Sequence, residues 1–137
     1  MTTGVNPTVG KKFEIDINEG HYPAEMATNL HNWTDVTTDP VTGKSTHPSS
    51  SQSFHFDASK SGINLGNEFH IYALEWRKDS LIYSFDGKVM RRIKNDICHS
   101  PAPIYLSEAI LAWAGAVTDA IDGTSMVVDW VKVYQIK

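Results

Sequence analysis

Residues 13–19 read Phe13-Glu14-Ile15-Asp16-Ile17-Asn18-Glu19. Successive side chains of an extended strand point to opposite faces, so the apolar residues of this segment share one face. Glu14 and Asp16 share the other face. The alternation from residue 12 to residue 18 therefore predicts a β-strand with one face toward a core and an acidic face turned away from it.

Working outward from this strand, the alternation predicts an all-β protein with no convincing helix. Further strands are expected at residues 26–34, 52–57, 68–76, 80–85, 88–93 and 125–135, with a long loop between residues 35 and 53. Residues 104–113 fit either a strand or a helix, and we favour a strand. Asp86-Gly87 predicts a two-residue hairpin, because both residues must adopt positive φ. No change in composition marks a second domain, so we expect one domain over residues 1–137.

The overall charge limits the classes of partner. Charged residues make up 20% of the chain and the formal net charge is −4. Nucleic acid would need a basic face, and the charge gives no reason to expect a membrane partner. We therefore expect a partner that is neutral or is recognised by hydrogen bonds and stacking. The single cysteine, Cys98, excludes an intrachain disulfide and is expected to be a buried free thiol.

The third acid of the opening segment needs an irregular strand to join the other two. Glu14 and Asp16 lie two residues apart on one face, at roughly 6–7 Å. Glu19 follows three residues after Asp16, so a regular strand would turn it to the opposite face. One extra residue near Ile17 and Asn18, inserted as a β-bulge, would return Glu19 to the acidic face.

Crowded carboxylates have a chemical use. Like charges raise at least one pKa, so one acid stays protonated near neutral pH while another is ionised. Retaining glycoside hydrolysis needs such a pair about 5–5.5 Å apart, one as nucleophile and one as acid. Two other interpretations remain open at this point: a solvated edge strand with ordinary surface acids, and a Ca²⁺ site built from carboxylates.

Three segments resemble glycoside hydrolase family 16, the laminarinase and lichenase family, in the family's order. They are Glu14-Ile15-Asp16-Ile17-Asn18-Glu19, the strand and hairpin at residues 69–76 and 82–88, and the closing segment at residues 126–134. The resemblance implies a jelly-roll β-sandwich of the concanavalin-like kind. It also implies endo-hydrolysis of a β-linked polysaccharide or oligosaccharide through a covalent intermediate, with no cofactor for catalysis, and an extracellular or periplasmic location.

Carried over residue by residue, the resemblance makes Glu14 the nucleophile and Glu19 the acid/base. Asp16, between them, would orient the nucleophile and help to share protons. These roles belong to the resemblance, whereas the shared strand face follows from the spacing of the acids.

Four residues outside the opening segment are candidates for binding substrate. His31 and Trp33 share a face of the next predicted strand, and Trp33 has a ring that can stack on a sugar or pack in the core. Trp113 is likewise either a cleft aromatic or a core residue. Glu108, in a mostly apolar stretch, either supports the cleft or reaches water.

The resemblance also implies a bound metal ion and an association with a second chain. Asp129 matches a position that binds a structural Ca²⁺ in some family members. The family's strands ahead of the catalytic strand have no counterpart in residues 1–11, and no signal peptide or membrane span is visible. We therefore expect a partial sandwich that forms a homo-oligomer or pairs with a complementing chain that supplies the missing strands. The competing function is a weakly active or inactive carbohydrate-binding sandwich that oligomerises.

Overall fold

The computed structural model describes residues 2–6, 11–111 and 114–135, with only the backbone of residues 2–6 described. The chain divides into two compact units, Met1–Tyr105 and Leu106–Lys137. Each unit is considered by itself, and the expectation of a single domain over residues 1–137 stays a prediction. Within the described residues, no helix is long and apolar enough to cross a membrane.

The first unit is built from antiparallel strands. Four of them form a sheet in the order β1-β2-β3-β6, β4 pairs with β5, and β7-β8-β9 form a three-stranded sheet. The bounds are β1 Thr2–Asn6, β2 Lys11–His21, β3 Glu25–Asn32, β4 Thr37–Thr38, β5 Ser45–Thr46, β6 Ser49–His55, α1 Ala58–Ser61, β7 Tyr72–Trp76, β8 Ser80–Phe85 and β9 Lys88–Lys94.

The core lies between the two larger sheets. Phe13 and Ile15 on the apolar face of β2 pack with Leu81 and Tyr83 of β8 and with Cys98, and all five are buried. Burial of this apolar surface is the main force that holds the sheets together. The expected all-β sandwich is therefore confirmed, and the alternation on β2 sets which face meets the core.

A second buried cluster extends the core along the sandwich. Met26 of β3 packs with Leu65 and with Phe85 of β8, and Phe54 and Phe56 cover this cluster from the side. Because Met26 and Phe85 come from opposite sheets, the contact between the sheets continues beyond the cluster around Ile15.

The predicted hairpin is confirmed at the turn between β8 and β9. Asp86 has φ 47° and Gly87 has φ 79°, so both residues adopt the left-handed conformation. The strands on either side match the predicted bounds to within one residue. The Asp86 carboxylate also accepts a hydrogen bond from the backbone N–H of Ile71, at 2.8 Å.

Cys98 is buried and free, as expected. Desolvation of the thiolate raises the pKa of Cys98 to about 12. At neutral pH this side chain is therefore a neutral thiol packed in the core.

Several predicted elements differ from the structure. The expected loop at residues 35–53 contains the β4–β5 hairpin and most of β6, because these polar residues gain order by pairing with a neighbouring strand. The strand expected from residue 68 begins only at Tyr72. In the second unit, described residues 106–111 and 114–135 contain the 3₁₀ turn Asp119–Ile121 and no strand.

The strands predicted at residues 104–113 and 125–135 are therefore wrong for the described residues. Ile104 forms an isolated β-bridge, and no residue from Ser125 to Gln135 belongs to a strand. Val127, Val131 and Val133 are exposed. Alternating apolar residues favour a strand only where a partner supplies backbone hydrogen bonds and a surface to pack against.

Removing a side chain from the core between the sheets tests this packing. Leu81 is fully buried, so Leu81→Ala should lower the free energy of unfolding by about 2–5 kcal/mol. Val89→Ala on the adjacent strand is the control, because Val89 is 52% exposed, and its effect should stay within about 0.5 kcal/mol. Urea denaturation measures both. Equal effects of the two substitutions would contradict the assignment of Leu81 to the core.

The expected association with a second chain stays a prediction. Sedimentation equilibrium of the purified chain measures its mass in solution. A mass of at least twice the 15.2 kDa of one chain is the expected result. A stable species of one chain mass across the concentration range would contradict it.

Candidate active site

The ladder between β2 and β3 contains the bulge that the acidic spacing predicts. Glu14 pairs with His31 and Asp16 pairs with Asn29, but the next paired residue of β2 is Glu19, which lies opposite Ala27. Between these pairs β2 has two residues, 17 and 18, whereas β3 has only residue 28. One extra residue in β2 thus resets the alternation, and Glu19 returns to the face of Glu14 and Asp16.

Two of the carboxylates meet side chains from the adjacent strand segment. The Trp33 indole Nε1–H donates to Glu14 Oε2 at 2.7 Å. His31 Nε2 lies 3.2 Å from Asp16 Oδ2. Since Trp33 and His31 are two residues apart, they follow the same face of β3 and its extension. Glu14 and Asp16 therefore contact different side chains of the neighbouring strand segment, and these two side chains are two residues apart.

Glu19, the third carboxylate, makes a similar contact on the other side of the bulge. Asn29 lies two residues before His31, and its Nδ2–H donates to Glu19 Oε2 at 2.5 Å. The three acids of β2 thus face three consecutive same-face residues that come from one neighbouring strand segment. This correspondence fixes the orientation of all three carboxylates on one side of the sheet.

The surroundings of Glu19 favour its protonated form. Partial burial raises the pKa of Glu19, and the nearby Asp16 and Glu14 carboxylates raise it further, while His31 acts in the opposite direction. A carboxyl group with a raised pKa keeps its proton to higher pH. This change favours Glu19 as a proton donor.

Asp16 is the most enclosed acid of the three. Its side chain is 1% exposed, and among the described residues His31 is the only cationic group in contact with it. The two groups form an ion pair when His31 is protonated. An isolated buried carboxylate is costly, so this contact stabilises the charge in the middle of the cluster.

The same contact favours the cationic form of His31. The Asp16 carboxylate raises the pKa of His31, Glu14 and Glu19 add to this effect, and partial burial opposes it. The charges of the three acids and of the His31 imidazole therefore depend on one another.

One residue of the cluster was missed by the sequence analysis. His47 lies in the short connection between β5 and β6, and its Nε2 is 2.8 Å from His31 Nδ1. Its ring also lies against Trp33, with centroids 3.6 Å apart. His47 is the only histidine in the polar segment from residue 35 to residue 53, but no periodicity links it to β2 or β3.

The remaining candidates have different positions. Trp33 is 40% exposed, so it is a surface aromatic and the alternative of core packing is wrong. Glu108 and Asp129 are exposed residues of the second unit. Trp113 lies outside the described residues. Its role and that of Glu108 stay predictions.

A metal site was also expected at Asp129. No group of three or more His, Cys, Asp or Glu residues in the described part of the chain is arranged to hold a metal ion. The binding of Ca²⁺ at Asp129 stays a prediction.

Comparison with protein families gives one match. Residues 3–132 match the family model described as Glycosyl hydrolases family 16, which covers nearly the whole chain and includes all three acids on β2. No curated protein matches the chain.

The contact of His31 with Asp16 predicts a pH-dependent contribution to stability. Because the folded-state pKa of His31 is above the ordinary value of 6.5, proton binding stabilises the fold. This contribution is complete below about pH 6.5 and is lost as pH rises through the raised pKa. The difference in free energy of unfolding between wild type and His31→Gln should therefore shrink as pH rises above about 6.5.

Urea denaturation across this pH range measures that difference. His55→Gln is the control, since the His55 side chain is 74% exposed and at the far end of β6. A difference between wild type and His31→Gln that stays constant or grows with pH would contradict the ion pair.

Proposed function

The chain belongs to family 16 of the glycosyl hydrolases, and we propose from this premise that it is a retaining endo-β-glycanase. The observation that carries the proposal is the bulge in β2, which turns Glu14, Asp16 and Glu19 to one face. Retaining enzymes need a nucleophile and an acid that flank the scissile bond at about 5–5.5 Å from each other, and two acids on one strand face can meet that need.

In the first step, Glu14 attacks the anomeric carbon and forms a covalent glycosyl-enzyme. Glu19 gives its proton to the glycosidic oxygen as the bond between that oxygen and the anomeric carbon breaks. The raised pKa of Glu19 supports its role as acid. The indole N–H of Trp33 donates to Glu14 and orients its carboxylate for the attack.

In the second step, water attacks the same anomeric carbon. The Glu19 carboxylate, now ionised, accepts a proton from that water, and the bond to Glu14 breaks. Two displacements at one carbon restore the original β configuration. Glu19 ends the cycle protonated and Glu14 ends it ionised, as both began.

Asp16 lies between these two residues along the strand and has a positioning role. Its negative charge raises the pKa of Glu19, whereas the cationic His31 lowers it. We propose that Asp16 and His31 together keep the pKa of Glu19 in a range where Glu19 can both donate and accept a proton.

The substrate in this proposal is a β-1,3-glucan or a mixed-linked β-glucan. The exposed ring of Trp33 offers a stacking surface beside Glu14, and a sugar is held well by such a ring through its apolar face. A galactan is the alternative substrate, and the net charge of −4 does not select between these neutral polymers. An extracellular or periplasmic location remains part of the proposal.

Loss of the nucleophilic glutamate tests the enzymatic role. Glu14→Gln should lower the release of reducing sugar from laminarin, lichenan or agarose by at least about 1000-fold, because an amide cannot replace the nucleophile. Glu68→Gln is the matched control on an exposed glutamate and should keep wild-type activity. A folded Glu14→Gln variant with wild-type activity would contradict the proposal.

Azide separates the two roles. In Glu14→Ala, azide enters the space left by the carboxylate and should give the α-glycosyl azide by a single displacement, while Glu19 still protonates the leaving oxygen. In Glu19→Ala with an activated aryl glycoside, azide attacks the glycosyl-enzyme and should give the β-glycosyl azide. If wild type binds these glycans but releases nothing, the chain is a carbohydrate-binding sandwich instead.

A further inference from the structure

We propose that His47 is a positioning residue for this hydrolysis, acting through His31 to hold the imidazole against Asp16. This inference rests on the proposed function, because it assigns His47 to the same site. His47 belongs to a different segment from the acids and their partners, and it lies in the connection between β5 and β6.

His31 uses both ring nitrogens in the cluster. Nε2 is 3.2 Å from Asp16 Oδ2, and Nδ1 is 2.8 Å from His47 Nε2. A flip of the ring would place carbon atoms at both contacts, so the two partners together define one orientation of His31. The His31 ring also stacks on Trp33, with centroids 5.5 Å apart, but stacking does not distinguish the two flipped orientations. Without His47, Asp16 would be the one polar contact among the described residues that does so.

His47 is positioned by a contact of its own ring and by contacts of the two residues that follow it. The carbonyl oxygen of Pro48, the next residue, accepts a hydrogen bond from the backbone N–H of Asn32 at 2.9 Å. Ser49, at the start of β6, pairs with His31 in the ladder. The ring of His47 lies against Trp33 at 32° between ring planes. The β3–β6 pairing therefore places the His47 side chain beside His31.

The charges around His31 define how the hydrogen bond runs. Glu14, Asp16 and Glu19 face His31 from β2, and His47 faces it from the other side. A cationic His31 donates from both nitrogens, to Asp16 and to His47. For that hydrogen bond to form, His47 Nε2 has to accept, which requires a His47 ring with its proton on Nδ1.

Two substitutions separate this hydrogen bond from simple ring packing. His47→Phe keeps an aromatic ring against Trp33 but removes the acceptor. His47→Gln gives up the ring but can place an amide oxygen near the position of Nε2. His55→Phe and His55→Gln, on the exposed end of β6, are the matched controls.

Steady-state kinetics on the polysaccharide that wild type cleaves give the first readout. We expect His47→Phe to lower kcat roughly 10- to 100-fold with KM changed by less than about twofold, because His47 acts on the reacting groups through His31. His47→Gln should recover most of kcat, and the His55 variants should match wild type. Equal losses in both His47 variants, or unchanged kcat in His47→Phe, would overturn the proposal.

Nitrogen NMR of the His31 ring gives a second readout that does not need turnover. The pKa of His31 should fall in His47→Phe and be retained in His47→Gln, since loss of the acceptor removes one partner of the cationic form. An unchanged His31 titration in folded His47→Phe would overturn the proposal. If wild type cleaves no β-glycan, the proposed hydrolysis fails, while this titration still decides whether His47 positions His31.

Discussion

The candidate site depends on one extra residue in β2. Two residues of that strand lie opposite Thr28 alone, and the resulting bulge places Glu19 beside Glu14 and Asp16. Arg91 of β9 supports this region from the opposite sheet. Its guanidinium donates to the Thr28 carbonyl oxygen at 2.6 Å and to Thr28 Oγ1 at 3.0 Å. The strand opposite the bulge is therefore fastened through the core, which keeps the irregular ladder in one geometry.

Contacts with the neighbouring strand offset part of the repulsion within the acidic face, while Asp16 Oδ1 is buried with no hydrogen-bond partner among the described residues. Carboxylates crowded on one strand repel one another, but Asp16 is compensated by His31 and Glu19 accepts a hydrogen bond from Asn29. The same arrangement separates the proton affinities of the groups, since burial and Asp16 raise the pKa of Glu19. The interactions that stabilise the acidic face in the fold would thus also prepare it for acid/base chemistry.

Local sequence rules predicted much of the first unit and none of the long-range pairing. The alternation of Phe13 and Ile15 identified the core face, and the three-residue step from Asp16 to Glu19 required a bulge. Residues 49–51, the polar start of β6, carry no apolar alternation, so only the later part of this strand was predicted, at residues 52–57; the start forms because β3 offers an edge. His47 was missed for the same reason. Conversely, the alternating residues from 125 to 135 suggested a strand that does not form within the described second unit.

The stereochemistry of the first product tests the central claim most directly. If Glu14 and Glu19 act from one strand face as nucleophile and acid/base, hydrolysis proceeds through two displacements. Proton NMR of a β-glycan digest, recorded before mutarotation, should then show the β-anomer of the new reducing end forming first. Initial formation of the α-anomer would mean a single displacement by water and would contradict the role given to Glu14.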